Sequence, residues 1–399
     1  MVQEPAAPAS PLAGVHGLAV RYLRQWTVSP ADRGHLCDPG IPVLAHVVAD
    51  DRAAPAAVAA WARTAGRGPS RPALYDGGLA GTLVGLRLGT RVHPALRPVA
   101  DRLRAHLAGR APRYRTRAVT FPDYDLICGP AGTLLALCTG EPADRSVAAR
   151  LRPLAAHLAL LCDEDELPRL RTGHYQDHPY LAWVHGRVNT GMGHGVAGVV
   201  AALTAAVRRC GADPELAGEL AAALDRARYW LVRQAYDDAR GIRTWPGACL
   251  DGAPPPQAHP RQAWCYGTPG VAWALWDAAD ALGDAAGARW AASAFTTLAE
   301  HYDVDFHLYG DSPADRLGLC HGAAGVLAVA DAFDRHAHLP AAAALKRRLV
   351  RYLTARLPRP EDEEGWTADL LTGLPGVFAA LLTAVHGGPR TWLPCLGLR

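Results

Sequence analysis

One short turn recurs through this chain and constrains its fold more than any other feature. The pattern G-x-x-G followed by an apolar run occurs at Gly78/Gly81, Gly129/Gly132, Gly195/Gly198, Gly267/Gly270, Gly322/Gly325 and Gly373/Gly376. First glycines lie 51 to 72 residues apart, room for two helices and their loops. After each turn comes a nearly all-apolar segment such as VAGVVAALTAAV (196–207), then an amphipathic one such as PELAGELAAALDRARYWLVRQAY (214–236). A segment apolar all round must be buried, whereas an amphipathic one has a solvated face. Repeated inner and outer helices close most simply into an all-α fold, an α/α toroid, because a ring leaves no exposed repeat ends. A seven-fold ring is expected, with Gly14-Val15-His16-Gly17 read as a degraded seventh copy and His16 as a surface or packing histidine.

Half of the 399 residues are hydrophobic, ample for one large core. The expected organisation is a disordered tail over 1–11 and one toroid domain over 12–399. Three Pro-, Arg- and aromatic-rich stretches, 111–125, 164–191 and 245–264, break the helical rhythm and are expected as loop insertions that form either surface loops or a small non-helical lobe. A net charge of +3, from 41 basic and 38 acidic residues, argues against a nucleic-acid partner. With no apolar run long enough to insert directly in a membrane and no signal-peptide layout at the N-terminus, a cytoplasmic location is expected. Nine scattered cysteines read as reduced thiols; Cys37, Cys138, Cys162, Cys210, Cys249 and Cys395 are expected to be simply buried.

The glycine turns all precede inner helices, so they gather at one rim. Cys265 and Cys320 each stand two residues before the first glycine of their turn, and His321 and His194 each stand one residue before theirs. Equivalent positions in adjacent hairpins meet, which brings Cys265, Cys320 and His321 together as the Cys₂His set that zinc takes, with a fourth position open. Cys128 also stands one residue before a turn glycine, and is read as a thiol outside that set.

Taken in order on their repeated frame, the motifs GMGHGVAG, WCYGTPG and LCHGAAG resemble those of the lanthionine synthetase C family, the lanthipeptide cyclases. The resemblance covers nearly the whole chain. It implies an α/α toroid with Zn²⁺ at one end, and addition of a peptide cysteine thiol to dehydroalanine or dehydrobutyrine to close (methyl)lanthionine thioether rings. It also implies Cys265, Cys320 and His321 as metal ligands, His194 as an acid/base, Asp125 four residues before a turn glycine as its partner, and Arg261 as an active-site arginine. The implied partners are a dehydrated precursor peptide, a separate dehydratase that supplies it, and a transporter complex through which the protein associates with the membrane.

Three other functions are compatible with parts of this pattern. The same chemistry with an external nucleophile would add glutathione or another free thiol to dehydroamino acids. An (α/α)-barrel glycosidase would need two opposed carboxylates, for which Asp76 and Asp125 are the candidates, but would leave the cysteines without a role. A non-catalytic peptide-binding toroid would fill the fourth metal position with a protein ligand.

Overall fold

The computed structural model describes residues 11–28, 37–65, 67–68, 70–109, 113–140, 145–210, 214–249, 261–358 and 366–399. The proposed tail at 1–11 therefore lies, but for Pro11, outside the described residues. The outer layer is α1 (Pro11–Val28), α3 (Ala53–Ala65), α5 (Arg97–Gly109), α7 (Arg145–Leu161), α9 (Pro214–Arg233), α11 (Ala285–His301) and α15 (Pro340–Thr354). The inner layer is α2 (Gly40–Val48), α4 (Leu79–Gly89), α6 (Pro130–Cys138), α8 (Val196–Cys210), α10 (Thr268–Leu282), α14 (Ala323–His336) and α16 (Leu374–His386). Two short helices, α12 (Val304–His307) and α13 (Pro313–Leu317), lie between α11 and α14. Each inner helix packs on the next, and α16 returns to α2, closing a seven-membered α/α toroid. The division of labour is visible in burial: every residue of α2 and α6 is buried, whereas outer α5 buries only Ala100 and Leu107.

The ring is seven-fold as expected, but its seventh inner helix is α2, not a helix after Gly17. Gly14 and Gly17 lie within outer helix α1, where an added Cβ would meet nothing within 4 Å. Gly40 instead presses on the backbone of Ala368–Leu370, in the seventh turn. His16 sits on the surface, its Nε2 3.2 Å from the Val48 carbonyl.

Most first glycines of the turns have ordinary extended backbone, so the reason for glycine there is close approach rather than conformational freedom. The second glycine makes this clearest. A Cβ on Gly325 would drive into the carbonyl of Leu319 in its own turn and come within 2.9 Å of Trp264 Cβ in the preceding repeat. Gly270 repeats the geometry on Trp264 and Met192. Gly267 is the exception among the first glycines, with φ of 81°, where a side chain would be strained.

Tight contact lets a one-way ladder of hydrogen bonds link the turns. The N–H of Leu74 donates to the Ile127 carbonyl (3.1 Å), Leu126 to Gly193 (3.1 Å), Met192 to Cys265 (2.8 Å), Cys265 to Cys320 (3.4 Å) and Cys320 to Leu371 (3.0 Å). Between the last repeat and the first, the Leu370 N–H donates to the side chain of Asp38 at 2.6 Å. Behind this belt, the C-terminal segment fills the ring. Indole N–H groups of Trp264 and Trp273 donate to the carbonyls of Leu396 (2.9 Å) and Gly397 (3.0 Å), and Tyr75 Oη donates to that of Cys395 (3.0 Å). Buried polar backbone is thereby paired.

The three insertions fold onto one another. Val119 forms a parallel bridge with Thr172, and β1 (Val188–Asn189) pairs antiparallel with β4 (Ala248–Cys249). A second ribbon, β2 (Tyr236–Asp237) with β3 (Arg243–Thr244), precedes β4. The non-helical insertions thus form a small lobe over the rim; part of the third, 250–260, lies outside the described residues.

Two glycine substitutions should separate in sign. Gly325→Ala is expected to lower stability by about 2 kcal/mol or more through backbone overlap. Gly218→Ala, on the open face of α9 where a Cβ meets nothing, is expected to raise it by about 0.5–1 kcal/mol. Urea unfolding of the two variants beside the parent checks both signs.

Candidate metal and acid–base site

The turn register carries through to the side chains. Among the described residues, Cys265, Cys320 and His321 bring one ligand atom each within 4.8 Å of one another. Their backbones are coupled by the Cys265-to-Cys320 hydrogen bond and held from behind by Trp264 and Leu371. No fourth Cys, His, Asp or Glu among the described residues joins the group. Cys128 does not: its Sγ lies 3.7 Å from Asp125 Oδ2, and burial followed by the Asp125 charge pushes its thiol well up. Cys37, Cys138, Cys162, Cys249 and Cys395 are buried thiols, as expected; the side chain of Cys210 lies outside the described residues.

The cluster is electrostatically asymmetric. Its two thiols favour a single thiolate at Cys320, held low by the hydrogen bond from Cys265 and by the nearby His321. Cys265 is pushed up, first by burial and then by Cys320. His321 is raised to about 9 by the charge of Cys320 and by hydrogen bonds to Cys320 and Asp315, against the cost of burial. Soft sulfur donors, an imidazole and a free coordination position suit zinc.

Asp315 is a participant that the turn register does not reveal. It belongs to α13 and lies 3.2 Å from His321 Nδ1. A carboxylate on Nδ1 fixes the ring and leaves Nε2 to face a metal, as metal-bound histidines commonly require.

His194 stands on the neighbouring turn. Its Nδ1 is 2.5 Å from Oδ2 of Asp125, which is fully buried, while its own side chain is 32% exposed. Asp125 does two jobs: Oδ1 accepts from the N–H groups of Cys128 and Gly129, both at 2.8 Å, fixing the start of α6. Burial alone would lower the His194 pKa, but the Asp125 hydrogen bond and charge outweigh it and raise it above 6.5. Phe121, from the lobe, stacks on the imidazole at 4.4 Å, and Tyr124 Oη donates to the His194 carbonyl at 2.8 Å. One face of the histidine is thus shielded.

Arg261 precedes Cys265 by one turn of chain. Its Nη2 donates to the Tyr309 carbonyl (3.3 Å) and its guanidinium lies 4.2 Å from the Tyr309 ring centre. Nη1 is buried without a hydrogen-bond partner, an uncommon and costly state. Asp76, by contrast, is ion-paired to Arg71 at 2.6 Å.

An α/α toroid with a three-donor thiolate–imidazole cluster and a carboxylate-held histidine on one rim defines a recognisable class. The chain belongs to the lanthionine synthetase C-like family, whose model matches residues 99–396. Among solved structures it resembles nisin cyclase, with a TM-score of 0.72 and 19% identity over 97% of this chain and 98% of that one; the likeness is one of fold. Comparison with curated protein sequences gives no match.

Removing the carboxylate should reverse the balance on His194. In the parent, NMR titration of its imidazole should give a midpoint above 6.5, because Asp125 favours the charged ring. In Asp125→Asn, burial prevails and the midpoint should fall below 6.5. Equal midpoints would show that Asp125 does not set the charge of His194.

Proposed function

We propose that this protein is a zinc-dependent lanthipeptide cyclase. It adds cysteine thiols of a dehydrated precursor peptide to dehydroalanine or dehydrobutyrine and forms thioether rings. The observation that carries the reading is the three-donor group Cys265, Cys320 and His321, with no fourth protein ligand among the described residues, one turn away from a histidine held by a buried carboxylate. A structural zinc site would be closed by four protein ligands; an open one leaves room for substrate. Zinc, when bound there, lowers the pKa of a thiol from its ordinary value of about 8.5 and so supplies a nucleophile at neutral pH.

The chain's own residues account for the rest of the reaction. The sulfur–carbon bond forms at the β-carbon while the alkene π pair moves toward the carbonyl, giving an enolate that then takes a proton at the α-carbon. Arg261, near enough for its charge to act on Cys265, is the cation assigned to that enolate oxygen. His194, kept cationic by Asp125, delivers the proton; the same imidazole in its neutral form can accept the proton that the thiol releases. Phe121 shields the imidazole from water. A separate dehydratase supplies the substrate. No helix among the described residues is long and apolar enough to cross a membrane. The proposed reaction is a cytoplasmic one, with any membrane association made through a transporter complex.

Incubation with a dehydrated, cysteine-containing peptide should leave the mass unchanged, remove alkylatable thiols and give thioether cross-links in tandem mass spectra. Cys320→Ala is expected to lose the metal. His194→Asn should retain it but close rings roughly 100-fold more slowly. Attachment of glutathione faster than ring closure would instead favour an intermolecular thiol-adding enzyme.

A further inference from the structure

We propose that the outward face of residues 113–117, with Arg171 beside it, docks an acidic segment of the substrate peptide. The segment reads Arg-Tyr-Arg-Thr-Arg, and its exposure alternates: Arg113, Arg115 and Arg117 are exposed while Tyr114 and Thr116 turn inward. Three arginine side chains thus face solvent within five residues, at the point where the chain bends over 116–118. The other face is anchored. Tyr114 packs on His157 with ring centres 4.9 Å apart, the Arg115 N–H donates to Asp123 Oδ1 at 3.0 Å, and the Thr120 N–H donates to Asp123 Oδ2 at 2.8 Å. Arg171 is exposed next to Thr172, which bridges to Val119.

These arginines lack the partners that their neighbours have. In the acidic run at 163–166, Asp163 pairs with Arg169 at 2.8 Å and Glu166 with Arg233 at 2.8 Å. Asp123 is buried and points its oxygens at backbone N–H groups. Among the described residues, Arg113, Arg115, Arg117 and Arg171 are in no ion pair. The chain as a whole carries only +3, so the excess is local. Arginine forks in fixed positions are suited to carboxylates, which they bind in bidentate fashion.

Position connects the patch to the chemistry. At most about 13 Å of extended chain separates Arg117 from Phe121, the residue stacked on His194. A peptide held by its acidic residues on this segment would present its linked thiols and dehydroamino acids to the rim at high effective concentration. The inference rests on the cyclase reading for its substrate, but its test is made separable by using binding alone.

A fluorescein-labelled synthetic peptide with an Asp/Glu-rich stretch and no dehydroamino acids is titrated against the full chain by fluorescence anisotropy, with and without a metal chelator. The acidic peptide should bind in either condition, more weakly as salt rises. The triple variant Arg113→Gln/Arg115→Gln/Arg117→Gln should bind about tenfold or more weakly, yet close rings normally on a short dehydrated peptide lacking acidic residues. Unchanged affinity in that variant would overturn the proposal. So would equal binding of the same peptide with lysine in place of its acidic residues, or tighter binding of single-stranded RNA or of phosphatidylserine vesicles than of the acidic peptide. Failure of ring closure in the parent with intact, arginine-dependent peptide binding would count against the cyclase reading and leave the docking site standing.

Discussion

The structure depends on one close approach: a helix N-terminus with no Cβ, pressed at once against a carbonyl of its own turn and a side chain of the turn before it. Gly325 against Leu319 and Trp264 is representative. Such contact brings successive turns within hydrogen-bond reach, and the one-way ladder from Leu74 to Leu371 follows. Any side chain at the second glycine would wedge two repeats apart and break the register on which the rim depends. The same register puts Cys265 and Cys320 in line and carries His321 and His194 one step further along. The site is in that sense a by-product of ring closure, held by backbone that the fold already requires.

Two features give that rim chemical asymmetry. The thiols of Cys265 and Cys320 share a site too small for two uncompensated negative charges, so one is driven up and the other down, with His321 responding. One turn away, a buried carboxylate holds an imidazole in its charged form. The thiol–imidazole cluster and His194 thus lie near enough to act on one another's charge, and each histidine is held by a carboxylate, Asp315 in one case and Asp125 in the other. The C-terminal segment closes the space behind them, and the insertion lobe covers them from the side through Phe121.

Much of this was legible because the constraint is written in glycine. Six inner helices and the alignment of Cys265, Cys320, His321 and His194 follow from spacing alone. The first repeat was misplaced for a physical reason. Its turn has only Gly40, and it receives the Leu370 N–H on the Asp38 side chain instead of on a carbonyl, so the two-glycine signature is absent. Gly14 and Gly17 share the spacing without the contact. Asp315 escaped because it comes from a short helix outside the register, and the choice between loops and a lobe stayed open because the Val119–Thr172 and β1–β4 pairings join segments far apart in sequence. Asp125 serves both the helix start and the histidine, one carboxylate oxygen for each.

The proposed reaction turns on an open thiolate–imidazole metal site at the rim, able to take a substrate thiol. Zinc K-edge X-ray absorption on the protein loaded with one equivalent of metal tests it most directly. Two sulfur donors near about 2.3 Å and imidazole nitrogen near about 2.0 Å are expected, with a further sulfur replacing a light fourth donor when a cysteine-containing peptide is added. A first shell without sulfur, or one of four protein ligands unchanged by the peptide, would contradict it.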